Sequence, residues 1–138
     1  MISLQPVQTA AILQLCDELG KEAEFKRAIP MIKLGTFQGS VRSVHQIHVG
    51  RDVVGFLLLR KPSIPFRAYG DRESLLLIYP QYQREGIGTQ VVSLIHEDKN
   101  PTFFVSSKSN PTSTVFFQKQ QGLKLVDDTE RFSVYSRP

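Results

Sequence analysis

The spacing of apolar residues at the start of the chain predicts a short strand followed by a helix. Residues 1–4 alternate between apolar and polar types, as a strand with one buried face does. Ile12, Leu15, Cys16 and Leu19 then recur at positions i, i+3, i+4 and i+7, which is the spacing of an amphipathic helix. Both elements are therefore expected to pack an apolar face against a core.

A second helix and a β-hairpin are predicted next. Residues 25–32 carry another helical stripe, which Pro30 is expected to kink or end. Two β-rich runs follow, Val41–Val49 and Val53–Leu59, and the residues between them, Gly50–Asp52, are few enough for a hairpin connection.

The middle of the chain has the pattern of a strand, a helix and a second strand. Leu75–Tyr79 is a continuous apolar run, as a central strand buried on both faces requires. A helix begins around Gly86–Gly88, and Thr102–Val105 is the next apolar run. A unit of this length predicts two parallel strands joined by a right-handed crossover.

The C-terminal region completes an α/β (α+β) fold. Pro111 begins a last helix, and residues 123–126 and 132–135 predict an antiparallel pair of strands that turns at Asp127-Asp128. The expected architecture is a mixed sheet with helices packed on its faces. The length of 138 residues predicts one domain, spanning residues 1–138.

Composition and charge exclude several classes of protein. Hydrophobic residues make up 41% of the chain and charged residues 22%, which is typical of a globular fold and not of a disordered one. The formal charge is +4, but the basic residues are scattered, so neither a nucleic-acid partner nor a membrane partner is predicted. The single cysteine, Cys16, excludes an internal disulfide, and no Cys/His spacing predicts a metal. A reducing, cytoplasmic location is expected.

The segment Gln83–Thr89 carries the strongest chemical signal. It joins a buried strand to a helix N-terminus, where several backbone N–H groups lack acceptors and the helix dipole is positive. Gly86 and Gly88 would let an anion such as a diphosphate approach the backbone, and Arg84 and Thr89 add two further donors. The segment is neither a Walker loop nor a full dinucleotide-binding fingerprint. Two glycines at a helix start also occur for tight packing alone, so both explanations stay open here.

In its surroundings, this segment resembles the signature of the GNAT superfamily of acyl-CoA-dependent N-acetyltransferases. The core of that signature, Gln/Arg-x-x-Gly-x-Gly/Ala, is met by Gln83, Gly86 and Gly88. A second segment is similar to the family's Asn-x-x-Ala/Ser … Tyr … Gly-Phe pattern. It consists of Asn110, Ser113, Phe116, Phe117, Gly122 and Leu123. The order of the predicted elements fits the family over nearly the whole chain.

The resemblance implies a twisted, mostly antiparallel sheet with one parallel pair of strands that splay apart, and with helices on both faces. The pair would be Leu75–Tyr79 and Thr102–Ser106, with the pantetheine of acetyl-CoA entering between them. The N–H groups of Arg84–Thr89 would bind the pyrophosphate. The residues implied at the cofactor are Ile78, Tyr79, Gln83, Arg84, Glu85, Gly86, Gly88, Thr89, Asn110 and Phe117.

The implied reaction is direct attack of a neutral primary amine on the acetyl thioester in a ternary complex. A backbone N–H near Ile78 would stabilise the oxyanion, and Glu73 would accept the amine's proton, directly or through water. A solvated charge at a strand end is the alternative for Glu73. Phe117 departs from the family, because it stands where a tyrosine commonly protonates the thiolate. Three accounts stay open: water as the acid, another hydroxyl group, or slow or absent transfer. The other hydroxyl groups considered are those of Tyr79, Tyr82 and Ser113.

Two functions of different classes follow. The leading hypothesis is an N-acetyltransferase that uses acetyl-CoA and no metal, with a small molecule or a protein as the amine acceptor. The alternative is a catalytically weak acyl-CoA-binding module with a regulatory or interaction role, which only Phe117 supports. A basic nucleic-acid-binding domain is disfavoured by the scattered charge. The sequence decides neither the acceptor, nor the acyl chain, nor whether the protein forms a homodimer.

Overall fold

The computed structural model describes residues 2–26, 28–62, 64–97, 101–108 and 111–137. In these residues, seven strands form one mixed sheet in the order β1-β2-β3-β4-β5-β7-β6. The strands are β1 Ile2–Pro6, β2 Val41–Val49, β3 Asp52–Arg60, β4 Arg72–Ile78, β5 Thr102–Ser107, β6 Lys124–Asp128 and β7 Phe132–Ser136. The α-helices are α1 Ile12–Leu19, α2 Ala28–Phe37, α3 Ile87–Glu97 and α4 Pro111–Gln118. None of the helices in the described ranges has the length and hydropathy needed to cross a membrane.

The first of two compact units consists of Met1–Lys61 and Leu76–Gly88. In this unit β1 pairs with β2, and β2 with β3, both antiparallel. The apolar stripe of α1 is buried as predicted, since Ile12, Cys16 and Leu19 are each less than 5% exposed. Burial raises the pKa of the Cys16 thiol, so this cysteine acts as a small core residue and not as a nucleophile.

Pro30 does not interrupt the second helix, so the prediction that it kinks or ends this helix was wrong. Pro30 is the third residue of α2, which continues to Phe37. The N–H groups of the first helical turn have no acceptor within the helix, so a proline there removes no hydrogen bond. Phe25 belongs to a separate 3-10 turn, Ala23–Phe25.

The second compact unit consists of Pro62–Leu75 and Thr89–Pro138. Here β4 and β5 form the predicted parallel pair, β5 pairs with β7, and β7 pairs with β6, the last two antiparallel. Neighbouring residues of β5 point to opposite faces of the sheet. Phe103 accordingly packs with Phe66 and Tyr69, whereas Phe104 packs with Phe117 of α4.

The last two strands turn later than the sequence predicted. Asp127 and Asp128 are the final residues of β6, and the turn lies at residues 129–131. Both carboxylates have partners on other segments of the second unit: Asp127 accepts a hydrogen bond from the Tyr69 hydroxyl, and Asp128 lies 2.5 Å from Lys108 Nζ. The hydrogen bond from Lys108 also lowers the pKa of Asp128. The pairing of β6 with β7 continues to Asp128, which lies opposite Ser133, so the turn can begin only after this residue.

Candidate functional site

The segment that follows β4 turns sharply and leads into α3. The N–H of Tyr79 donates to the carbonyl of Val54 at 2.9 Å, and Pro80–Tyr82 forms a 3-10 turn. The N–H of Gln83 closes this turn by donating to the carbonyl oxygen of Pro80 at 3.2 Å. In the described part of the chain, no oxygen accepts a hydrogen bond from the N–H groups of residues 84–89. These six consecutive amides, called the cradle below, are the donors that the sequence predicted.

Two residues of the cradle have left-handed backbone conformations. Arg84 has φ +67° and Gly86 has φ +78°. Left-handed residues between right-handed or extended ones turn successive N–H groups toward a common point, which forms a concave anion-binding nest. A non-glycine residue in this region is uncommon and costs about 1–2 kcal/mol, so the conformation of Arg84 is maintained by its surroundings.

The space above Gly86 is open. A Cβ atom added at this position would meet nothing within 4 Å. Glycine is therefore favoured here by its backbone conformation and not by crowding. The same open space leaves room for a ligand beside the unpaired N–H groups.

The positive potential of the cradle comes mainly from the backbone. Arg84 and Glu85 are both exposed and carry opposite formal charges, so they nearly cancel. The first turn of α3 contains no acidic residue, and its unpaired N–H groups form the positive end of the helix dipole. A helix N-terminus of this kind suits a phosphate or diphosphate group.

The backbone of Ile78 faces away from β3. Tyr79 donates to Val54 of β3, and N–H and C=O groups of successive strand residues alternate between the two edges of a strand. Ile78 therefore directs its N–H and C=O to the opposite edge. Its carbonyl oxygen accepts a hydrogen bond from Gln83 Nε2 at 2.9 Å. The parallel register of β4 ends at Ser74, four residues before Ile78.

A bulge and a glycine in β3 bring this strand close to the end of β4. Ile47 pairs with Gly55 while His48 pairs with Val53, so Val54 is an extra residue in β3. A Cβ at Gly55 would overlap the carbonyl oxygen of Leu77 and lie 3.0 Å from the Cα of Ile78. The close approach of these two backbones therefore requires glycine at position 55. One of the residues that Gly55 approaches is Ile78, whose N–H the resemblance implies as the oxyanion donor.

Tyr79 lies in an aromatic cluster of the first unit. Its ring centroid is 5.5 Å from that of Phe25 and 6.0 Å from that of Phe56. Burial, followed by the negative charges of Glu18 and Glu22, raises the pKa of its hydroxyl. Tyr79 therefore keeps its proton more firmly than an exposed tyrosine.

Glu73 is buried in the second unit, with 7% of its surface exposed. It lies opposite Phe103 in the parallel register and has an interaction partner within the structure. The alternative of a solvated charge at a strand end was therefore wrong. A buried carboxyl group needs such a partner, because burying an unpaired charge is costly.

Phe117 is also buried in the second unit, with 6% of its surface exposed. Its ring centroid is 5.1 Å from Phe104 of β5, 5.1 Å from Phe116 and 5.5 Å from Tyr135 of β7. The ring of Tyr135 stacks on it with an interplanar angle of 25°. Asn110, which the resemblance assigns to the cofactor, lies outside the described residues.

The remaining hydroxyl candidates are placed differently from one another. Ser113 accepts a hydrogen bond from Ser106 Oγ at 3.1 Å, so its hydroxyl belongs to a polar contact between α4 and β5. Tyr82 is half-exposed in the 3-10 turn before the cradle. The sequence analysis did not single out Tyr135, whose position against Phe117 depends on strand pairing.

No metal site is found in the parts of the chain that the structure describes. They contain no group of three or more His, Cys, Asp or Glu side chains that could hold an ion.

No protein-family model matches the sequence, and no curated protein matches it. Solved structures, by contrast, match over the whole chain. An acetyltransferase from Thermus thermophilus is similar with a TM-score of 0.73 at 20% identity, covering 100% of this chain and 97% of that chain. The PaiA N-acetyltransferase from Thermoplasma acidophilum, in complex with coenzyme A, has a TM-score of 0.64 at 13% identity, covering 99% and 98%.

A GNAT family acetyltransferase from Elizabethkingia anophelis, with acetyl-CoA bound, has a TM-score of 0.65 at 14% identity, covering 99% of this chain and 97% of that chain. These likenesses establish the fold, which is that of the GNAT acetyltransferases. The mixed sheet with one parallel pair, implied by the sequence motifs, is thereby confirmed.

Proposed function

We propose that this protein belongs to the GNAT superfamily and transfers an acetyl group from acetyl-CoA to a primary amine. The observation that carries the proposal is the cradle: six amides without acceptors in the described residues, two left-handed residues, and open space above Gly86. An anion is the natural ligand of such a set of donors. The coenzyme A and acetyl-CoA named for two similar structures support a diphosphate of this type.

The cradle would bind the diphosphate of the cofactor through backbone N–H groups. Arg84 would add a charged donor and Thr89 a hydroxyl donor, while Glu85, Gly86 and Gly88 would contribute through their backbone. Gln83 would act indirectly, because its amide is bonded to the Ile78 carbonyl. Tyr79, Asn110 and Phe117 are carried over from the resemblance and remain proposals.

Acetyl-CoA supplies the acyl group as an activated thioester. The N–H of Ile78, directed away from β3, would donate to the oxygen that gains negative charge when an amine attacks. Glu73 would accept the proton of the amine, directly or through water. The amine would attack in a ternary complex, with no acetylated side chain.

The setting of this activity is part of the same proposal. Residues 1–138 would act as one domain, in the cytoplasm, with acetyl-CoA and an amine as the only partners that the reaction requires. A small-molecule acceptor and a protein acceptor are both compatible with this chemistry.

A catalytically weak acyl-CoA-binding module is the second candidate. The observation that favours it is Phe117, which is buried among aromatic rings and carries no hydroxyl group. Such a module would bind the cofactor for regulation or interaction and would release thiol slowly or not at all.

Thermal unfolding with ligand and thiol release together test both candidates. Acetyl-CoA and coenzyme A should each raise the melting temperature, because a ligand that binds only the folded state stabilises it. Free thiol should then appear when acetyl-CoA is mixed with a polyamine, an aminoglycoside, an amino-acid amide or a peptide with a free N-terminus. Stabilisation without thiol release would favour the binding module, and no stabilisation would refute both candidates.

A further inference from the structure

α2 carries apolar residues on its outer face as well as on the face that packs against the core. Its sequence, AIPMIKLGTF, contains one charged residue, Lys33. Ile32 and Gly35 are buried, whereas Leu34 and Phe37 are 56% and 90% exposed. Residues three positions apart lie side by side on a helix, so Leu34 and Phe37 form one exposed apolar area. A helix that is apolar on all sides is normally buried, which indicates that something outside this chain covers the exposed face.

The exposed apolar area of α2 is a ridge and not the wall of a groove. Phe37 is the last residue of the helix, and Gly39 follows it with φ +72°. A Cβ atom added at Gly39 would meet nothing within 4 Å, so the turn after the helix lies in open space. The ring of Phe37 therefore protrudes from the first unit.

The fold of the first unit places basic residues beside this ridge. The N–H of Ser40 donates to the carbonyl of Gly35 at 2.8 Å, and the N–H of Lys61 donates to the carbonyl of Ser40 at 2.7 Å. Arg42 follows two residues after Ser40, at a bulge of β2. Lys33, Arg42 and Lys61 are exposed and form no ion pair within the described residues. The α2 patch, as it is called below, consists of Lys33, Leu34, Phe37, Arg42 and Lys61.

Acidic residues of the first unit lie away from the end of α2. Between residues 25 and 70 the sequence contains one acidic residue, Asp52, which begins β3. Lys61 follows the other end of β3, about 30 Å away along the strand. A Cβ atom added at Gly20, which follows α1, would lie 3.4 Å from Ile29 Cδ1, so the acidic end of α1 lies near the start of α2. Phe37 is about 12 Å further along the helix, a distance at which exposed charges are largely screened.

The α2 patch is also separate from the cradle. The carbonyl of Val54, near the start of β3, accepts the hydrogen bond from Tyr79, whereas Lys61 follows the end of the same strand. The two ends are about 20 Å apart. A partner of the α2 patch therefore has a binding surface distinct from that proposed for the diphosphate.

We propose that the α2 patch binds the protein reversibly to an anionic lipid surface. The inference goes beyond the proposed function and does not depend on it. The uncompensated positive charge disfavours a second copy of the chain as the partner, because two identical patches would repel each other. Lysine and arginine beside exposed leucine and phenylalanine are typical of segments that lie in the interface of an anionic membrane.

The shape of the α2 patch favours lipid over an acidic protein. A protruding phenyl ring enters a fluid lipid layer without a pocket of matching shape, whereas a protein partner would have to provide such a pocket. The sequence predicted no membrane partner because its basic residues are scattered along the chain. Arg42 and Lys61 are brought to the end of α2 only by the pairing of β2 with β3. The proposed contact is peripheral and requires no membrane-spanning helix.

Co-sedimentation of the full chain with lipid vesicles tests the proposal. Vesicles of phosphatidylcholine with about 30% phosphatidylglycerol should carry the protein into the pellet, whereas vesicles of phosphatidylcholine alone should not. Raising the salt from about 0.1 M to about 1 M should release the protein, because the ionic attraction is screened. The measurement contains no acetyl-CoA, so its result is independent of acetyl transfer.

Phe37→Ser and Lys61→Glu should weaken vesicle binding without loss of stability. Loss of the phenyl ring should reduce the affinity about tenfold or more, and reversal of one charge about twentyfold. Both melting temperatures should stay close to that of the parent, because Phe37 is exposed and Lys61 bonds Ser40 through its backbone. Leu125→Ser and Lys124→Glu, at exposed positions of β6, are the matched controls and should leave vesicle binding unchanged.

Failure of the parent to sediment with the anionic vesicles would overturn the proposal, and so would binding that Phe37→Ser and Lys61→Glu both retain. A dimer in sedimentation velocity that Phe37→Ser dissociates would assign the α2 patch to a second copy instead. Binding of a peptide of alternating glutamate and leucine, without binding of vesicles, would assign it to an acidic protein. In each of these cases the proposed acetyl transfer stands, because thiol release is measured without vesicles.

Discussion

Replacing Gly86 with valine tests whether the conformation of the cradle is needed to bind the cofactor. A control variant is required, because a valine in a left-handed conformation lowers stability at any position. Gly86 has φ +78°, and the β-branched side chain of valine strongly disfavours this region. The matched control is Gly50→Val, in the turn between β2 and β3. Gly50 has φ +60°, and a Cβ there also meets nothing within 4 Å. Both variants therefore carry the same type of strain at an open, exposed position.

The expected loss of stability is similar in the two variants. A left-handed conformation costs an L-residue about 1–2 kcal/mol, and somewhat more when the residue is β-branched. For a chain of this length, each kcal/mol corresponds to about 3–4 °C in melting temperature. Both variants should therefore melt a few degrees below the parent without ligand.

The loss of cofactor affinity should be confined to Gly86→Val. Relief of the strain rotates the peptide units on either side of residue 86, so that about two N–H groups no longer point to the diphosphate. Hydrogen bonds to a charged group contribute about 1.5–3 kcal/mol each, and the loss of two at the lower value weakens binding roughly a hundredfold.

Ligand-induced stabilisation measures this difference directly. At a free acetyl-CoA concentration of about 100 times the parent Kd, the parent gains about 2.7 kcal/mol, or about 9 °C. A hundredfold weaker Gly86→Val would gain only about 0.4 kcal/mol, or about 1–2 °C, while Gly50→Val should keep the full shift. Equal shifts in both variants would refute the cradle as the diphosphate site.

Three further predictions concern residues near the cradle and in the sheet. Gly55→Ala should lower the free energy of unfolding by about 3 kcal/mol or more, because the new Cβ overlaps the Leu77 carbonyl and neither backbone can move easily. Urea titrations measure this loss, and a loss below about 1 kcal/mol would contradict the close approach of the two backbones. Gln83→Ala should raise the Kd for acetyl-CoA about threefold to tenfold, because the hydrogen bond that positions the Ile78 carbonyl is lost. Titration calorimetry measures this Kd, and an unchanged value would refute the positioning role of Gln83. Burial lowers the pKa of His45 in the folded state, so the unfolded chain takes up this proton at a higher pH, and the free energy of unfolding should fall as the pH drops below 6.5. Urea titrations at about pH 7.5 and 5.5 should show a smaller fall for His45→Gln than for the parent, and an equal fall in the two proteins would disprove the prediction.

The cradle could be predicted from the sequence because its chemistry depends on local structure. A buried strand, a short connection and a helix start are each visible in the spacing of apolar residues, and unpaired N–H groups at a helix start follow from helical geometry. The stripe of α1, with Ile12, Cys16 and Leu19, was predictable for the same reason. The left-handed conformation of Arg84 could not be predicted, because an arginine side chain does not favour this backbone conformation.

The alignment of Ser74, Phe104 and Tyr135 across three strands could not be predicted, because it depends on pairing between distant segments. Ser74 and Tyr135 lie far apart in the sequence and share a face only through Phe104. A shift of one residue in either register would turn one hydroxyl to the other face. The wrong prediction of a turn at Asp127 has a related cause. The hydrogen bond that Asp127 accepts from Tyr69 joins residues far apart in the sequence.

If the cradle binds a diphosphate as proposed, backbone groups do most of the binding, which agrees with a fold shared at 13–20% identity with the solved structures compared above. A diphosphate bound by N–H groups constrains dihedral angles more than side chains. In this chain the constraint would fall on the φ of Gly86 and on the close approach at Gly55, whereas the side chain of Glu85 is exposed and has no role in the proposed binding.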